Sequence, residues 1–131
     1  MTRRLKEDFL QHCRKNNLEG VTDCLSRGVD VNTVSEDGYD SGLTIAAVWK
    51  NSELLEILLS HPEIKINKKI NSDGPGRFGE KCQWTALLFA CEDWNSAIVS
   101  RLVQVPGLDI NYKDEYGNTS AHWVTFNGRT E

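Results

Sequence analysis

Three stretches of the chain carry apolar residues three and four apart: Val21, Cys24 and Leu25; Leu54, Leu55, Leu58 and Leu59; and Ile98, Val99, Leu102 and Val103. That spacing gathers each set on one side of a helix and predicts three short amphipathic helices. Ahead of each lies another short helical segment, whose apolar side is Phe9, then Leu43 with Ala46 and Ala47, then Leu87 with Ala90 and Cys91. The endings recur as well. An apolar residue followed by asparagine closes each pair, at Val31-Asn32, Ile66-Asn67 and Ile110-Asn111, 35 and 44 residues apart. Proline stops the second and third helices, in His61-Pro-Glu-Ile-Lys-Ile-Asn and Val105-Pro-Gly-Leu-Asp-Ile-Asn. The first ends Arg27-Gly-Val-Asp-Val-Asn, one residue shorter, with glycine as its C-cap.

With Glu7, Ser41, Thr85 and Thr119 taken as equivalent, the chain repeats in steps of 34, 44 and 34 residues. The long middle step holds an insertion at about residues 68–80. A helix pair this small cannot cover its own apolar side, so it must stack on a copy of itself, and inner helices that touch need small residues between them. Cys13, Ala47, Cys91 and Thr125 meet that need in one column, and Ala46 and Ala90 in the column before it, where His12 and Val124 at the two ends are larger. The period divides a single domain, 1–131, into units at about 6–32, 33–67 and 68–111. A partial fourth unit, 112–131, has a turn and an inner helix but no outer one.

The clearest turn phrase is Asp114-Glu-Tyr-Gly-Asn-Thr-Ser-Ala-His, in which Asp114, Gly117, Thr119 and His122 match the pattern D-x-x-G-x-T-P-L-H-x-A. Thr85-Ala-Leu-Leu-Phe-Ala matches T-P-L-H-x-A at its first, third and sixth places, and Ser41-Gly-Leu-Thr-Ile-Ala at the third and sixth. On these residues, and on the period, the chain resembles the ankyrin repeat family over roughly residues 6 to 131. The resemblance implies an all-α solenoid of stacked helix-turn-helix units with β-turn or hairpin fingers, one of them long. Two departures stand out. The proline of the motif occurs nowhere, and the glycine usual between the two helices is replaced by Asn16, Lys50 and Trp94 before returning as Gly128.

Composition narrows the function. The 131 residues are 39% apolar and 26% charged, with a net charge of −4 and a pI near 5.4. That fits one globular domain, and it lacks the basic surplus of a general nucleic-acid binder. No run approaches the roughly 20 apolar residues that span a bilayer, and the start, Met1-Thr-Arg-Arg-Leu-Lys, is charged with no apolar run behind it. The four cysteines, Cys13, Cys24, Cys82 and Cys91, lack paired short spacing and read as reduced thiols of a cytosolic or nuclear protein. Neither His12 with Cys13 and Cys24 nor Cys82 with Cys91 has zinc-ligand spacing. No nucleophile and carboxylate accompany His122, which the resemblance makes a turn residue.

Gly74-Pro-Gly-Arg-Phe-Gly spells the phosphate-cradling pattern G-x-G-x-x-G, yet Glu80-Lys-Cys-Gln-Trp separates it from the next helix, so it reads as a turn. Lys65, Lys68, Lys69, Arg77 and Lys81 make this region basic, but Asp73 and Glu80 dilute the charge and a solvated finger results. These readings predict neither catalysis nor a cofactor.

The resemblance implies that a protein partner binds in the concave groove formed by fingers and inner helices. Side chains that the stacking leaves free are Arg14, Lys15, Val48, Trp49, Glu92, Asp93, Phe126 and Asn127 on the helices. On the fingers they are Asp37, Tyr39, Asp40, Lys81, Trp84, Glu115, Tyr116 and Asn118. Trp49, Trp84 and Tyr116 are the expected aromatic anchors, the alternative being that Trp49 and Trp84 pack on the insertion. Arg77 and Phe78 at its tip are a further contact. The expected function is a non-catalytic protein-binding module. The alternative is an assembly or capping segment of a longer array or an oligomer, weakly self-associating through the end near Trp123 and Val124.

Overall fold

In the computed structural model, which describes residues 3–72, 82–92 and 96–113, the helical hairpins form as the pattern predicts. Helices α1 (Arg3–Arg14) and α2 (Leu18–Ser26) make the first, α3 (Gly42–Val48) and α4 (Ser52–Leu59) the second, and α5 (Ala86–Glu92) and α6 (Ser96–Val103) the third. Inner helix α3 packs between α1 and α5, and outer helix α2 packs against α4. The small residues sit where those inner helices meet: Cys13, Ala46, Ala47, Ala90 and Cys91 are all buried. One continuous hydrophobic cluster runs from Phe9 in α1 through Leu54, Leu55 and Leu58 to Leu102 in α6. The leucines of the second hairpin and the apolar face of the third therefore share one interior.

The turns between helices keep their geometry without glycine. At the end of α1, the Asn17 N–H donates to the His12 carbonyl at 2.9 Å and the Asn16 N–H to that of Cys13 at 3.1 Å, with Asn16 at φ 54°. This is the Schellman closure, in which a left-handed residue lets the chain reverse and satisfy the last carbonyls. After α3 the Asn51 N–H donates to the Ala46 carbonyl at 3.0 Å, with Lys50 at φ 61°. Asn17 then serves as N-cap of α2, its side chain accepting from the Gly20 N–H at 3.2 Å. Asn51 holds the same place before α4 without a side-chain cap.

The recurring asparagines turn out to be rungs between units. Asn32 donates its amide to the Glu63 carbonyl at 2.9 Å and accepts from the Lys65 N–H at 2.8 Å. Asn67 repeats the arrangement on the Gly107 carbonyl at 2.8 Å and the Asp109 N–H at 2.7 Å. A primary amide carries a donor and an acceptor side by side, so it can close on a carbonyl and an N–H two residues apart in the next loop.

The insertion begins and ends as a hairpin finger. Strands β1 (Ile70–Ser72) and β2 (Cys82–Trp84) pair antiparallel, Ile70 opposite Trp84 and Asn71 opposite Gln83. It is tied to the preceding finger, where the Asn71 N–H donates to the Gly38 carbonyl at 2.8 Å. Gly38 sits at φ 82°, a left-handed backbone that favours glycine, and a Cβ there would displace the Asn71 side-chain amide.

Candidate partner-binding surface

The finger of the second hairpin is built from its own polar side chains. The Asp37 carboxylate accepts from the Ser35 hydroxyl at 2.6 Å and the Tyr39 N–H at 3.0 Å, and the Ser35 N–H donates to the Asp40 carbonyl at 2.8 Å. The Ser35 hydroxyl first, and the Tyr39 N–H second, hold the Asp37 carboxyl below its usual range. The finger leads into α3 through a capping box: the Ser41 hydroxyl accepts from the Thr44 N–H at 3.2 Å, and the Thr44 hydroxyl accepts from the Ser41 N–H at 3.0 Å.

Arg14 at the end of α1 reaches this finger, its guanidinium 2.8 Å from the Asp40 carboxylate. Both partners are partly exposed, so the pair aligns the finger rather than anchoring the fold. Between α1 and the finger lies a cleft of about 530 Å³ lined by Glu7, Asp8 and Gln11 on one side and Ser35, Glu36 and Asp37 on the other. Four of these six side chains are carboxylates, and the Arg14 charge in the same cleft already faces Asp40.

Trp49 caps the C-terminus of α3 with 64% of its surface exposed, beside Val48 at 43%. Tyr39 and Asp40 are half-buried on the finger, where Asp40 already faces Arg14. Trp84 is buried. Its expected exposure is corrected to 0%, because in β2 the residues alternate and Gln83 takes the solvent side. Trp84 packs with Leu88, Phe89 and Tyr112, its ring meeting Phe89 edge-on at 5.2 Å. The Tyr112 hydroxyl donates to the Gln83 carbonyl at 2.8 Å and the Lys69 ammonium lies 5.4 Å from the Tyr112 ring centre, closing this second cluster.

Glu92 ends α5, and the placement of its side chain lies outside the described residues. Asp93, Arg77, Phe78, Tyr116, Asn118 and Phe126 lie outside them altogether. Glu7, Asp8 and Glu36 escaped the reading of the sequence as partner contacts. Glu7, Gln11 and Arg14 share one face of α1 by their spacing, but only the fold shows that a finger stands opposite.

Stacked helical hairpins, fingers projecting from their inner ends and asparagine rungs between loops define an ankyrin-type architecture. The family model described as Ankyrin repeats (3 copies) matches residues 9–114, and the chain belongs to the ankyrin repeat family. Members of that family are generally protein–protein interaction modules and are generally not enzymes. The chain is also 26% identical to a human protein named Mitochondrial disaggregase, over 93% of this chain and 18% of that protein. It thus spans under a fifth of that relative's length. No helix among the described residues is long and apolar enough to cross a membrane.

Proposed function

We propose that this chain is a non-catalytic module that holds a partner protein along its concave groove, with Trp49 as the exposed anchor and the α1–finger cleft as a subsite for a positively charged segment. The exposure of Trp49 is the observation that carries the reading. A tryptophan left largely in water forgoes a burial worth roughly 2–3 kcal/mol, and tryptophan is the residue type most enriched among interface anchors. The carboxylates of Glu7, Asp8, Glu36 and Asp37 favour a basic partner segment, through a contact that weakens as salt screens it.

Tyr39 and Asp40 belong to the same surface. By register, Glu92, Asp93, Tyr116, Asn118, Phe126, Arg77 and Phe78 extend it. The buried, unpaired cysteines Cys13, Cys24 and Cys91 are consistent with a reducing compartment, cytosol or nucleus. The relative named Mitochondrial disaggregase matches this chain over 18% of its own length, and its activity is not carried over to this chain.

The test is affinity capture with the parent chain and with Trp49→Ala. The variant keeps the parent's melting temperature and loses more than about 1 kcal/mol of affinity for the captured partner. Equal affinity in parent and variant removes Trp49 from the interface and with it the reading of the groove.

A further inference from the structure

At the tip of the second finger an aspartate precedes a glycine, and each of the two groups that can react with the other is held by hydrogen bonds. Asp37 is exposed to water, and Gly38 has no side chain to screen its nitrogen. In such a pair the Gly38 nitrogen can attack Cγ of Asp37. The amide proton and the carboxyl hydroxyl leave as water, and a five-membered imide closes. Water then reopens the ring at either carbonyl. Addition at Cγ restores aspartate. Addition at the main-chain carbonyl breaks its bond to the Gly38 nitrogen and leaves isoaspartate, whose backbone runs through Cβ and Cγ. Overall no atom is gained or lost, and water is the only co-reactant.

The closed finger withholds both reactants. The Gly38 N–H donates to the Ser35 carbonyl at 2.9 Å, so its proton is not free to leave. The Asp37 carboxylate accepts from the Ser35 hydroxyl at 2.6 Å and from the Tyr39 N–H at 3.0 Å. Those bonds, the hydroxyl's first, hold the carboxyl below its usual range, whereas imide closure consumes the neutral acid. The Ser35 hydroxyl also accepts from the Asp40 N–H at 3.0 Å. One side chain therefore both closes the finger and quiets its tip.

We propose that Asp37-Gly38 is a latent site of backbone isomerisation, inert while the finger is closed and converted to isoaspartate when it opens. The product does not close again. Its extra backbone atom falls between the two ties that join this finger to β1, the Asn71 side-chain amide on the Asp37 carbonyl at 3.2 Å and the Asn71 N–H on the Gly38 carbonyl at 2.8 Å. The Asp37 carbonyl becomes a carboxylate, and the side-chain carboxylate that met Ser35 and Tyr39 becomes main chain. The finger thereby loses its closure, and with it the placing of Asp40 against Arg14. Opening of one finger is a local event, so the site responds to that opening without unfolding of the whole chain. The inference does not depend on a partner in the groove.

The experiment incubates the folded chain at neutral pH beside the same chain unfolded in guanidinium chloride, and reads isoaspartate at Asp37 by fragmentation mass spectrometry. Asp73-Gly74, the same dipeptide, calibrates the rate in the unfolded chain. Asp37 isomerises there at the rate of Asp73, and several-fold more slowly in the folded chain. Ser35→Ala, kept well below its own melting temperature, isomerises at Asp37 about fivefold faster than the folded parent, the change in open population that one hydrogen bond of ordinary net strength allows. The isomerised parent, separated by chromatography, loses protection of the Ser35 and Asn71 N–H groups against hydrogen exchange. Equal rates at Asp37 in the folded and unfolded parent overturn the proposal, and this comparison needs no variant. A Ser35→Ala rate no faster than that of the folded parent overturns it too, as does unchanged protection of Ser35 and Asn71 in the isomerised chain.

Discussion

Lys50 pays for a conformation that its side chain does not suit. It is exposed, it follows the C-cap of α3, and its φ of 61° is what lets the Asn51 N–H reach the Ala46 carbonyl. For a residue with a Cβ the left-handed region costs about 1–2 kcal/mol. Glycine removes that cost but gains freedom in the unfolded chain, which returns about 0.4–1 kcal/mol. The lysine charge also favours a helix C-terminus by about 0.3–1 kcal/mol, so Lys50→Gly alone mixes three effects. Comparing Lys50→Gly with Lys50→Ala isolates the backbone, since both lose the ammonium and whatever the lysine side chain touches. The glycine variant is therefore more stable than the alanine variant by about 0.5–1 kcal/mol, or about 2–4 °C in melting temperature for a chain of this size. Urea denaturation with equal slopes checks that only the native state has changed. An alanine variant as stable as the glycine variant would mean that the turn closes without a left-handed residue, and the reasoning about Asn16 would fail with it.

Leu58→Ala, at a fully buried position between the outer and inner helices, costs about 2–5 kcal/mol in chemical denaturation. Trp84→Ala costs about 3–5 kcal/mol, because it empties the cluster under the long finger; a variant that weakened partner binding without lowering the melting temperature would contradict that role. Alkali destabilises the fold through its buried thiols. Burial pushes Cys13 up to about 12 and Cys91 up to about 11 from an ordinary value near 9. The folded state then binds more protons than the unfolded one, so this contribution is intact below about pH 9 and is lost progressively as pH rises to about 11–12. Denaturant midpoints measured from pH 8 to 11 in the parent and in Cys13→Ala, Cys91→Ala check the slope, which is shallower in the variant.

The stacking was legible because it depends on residue size and apolar spacing, and both are written in a linear pattern. Cys13, Ala47 and Cys91 had to be small for inner helices to meet, and all three are buried. The asparagines were legible as markers of the period, but what they bond to was not, since each rung spans 31 to 42 residues of sequence. The candidate surface was harder to read. The exposure of Trp49 follows from its place at the end of an inner helix, whereas the burial of Trp84 depends on the pairing of β1 with β2 across the insertion.

One substitution held the clue. At the fourth position of the motif, where the family has histidine, the second unit has Thr44 and the third has Leu88. The Thr44 hydroxyl accepts from the Ser41 N–H and so closes the turn with a polar bond. Leucine cannot do that, and Leu88 is instead buried against Trp84. A motif position that changes from hydrogen-bonding to apolar has changed what holds the turn, and a large apolar residue just ahead of it in the finger is the expected replacement. Trp84 was the residue that the altered turn needed, and so it was not free to meet a partner.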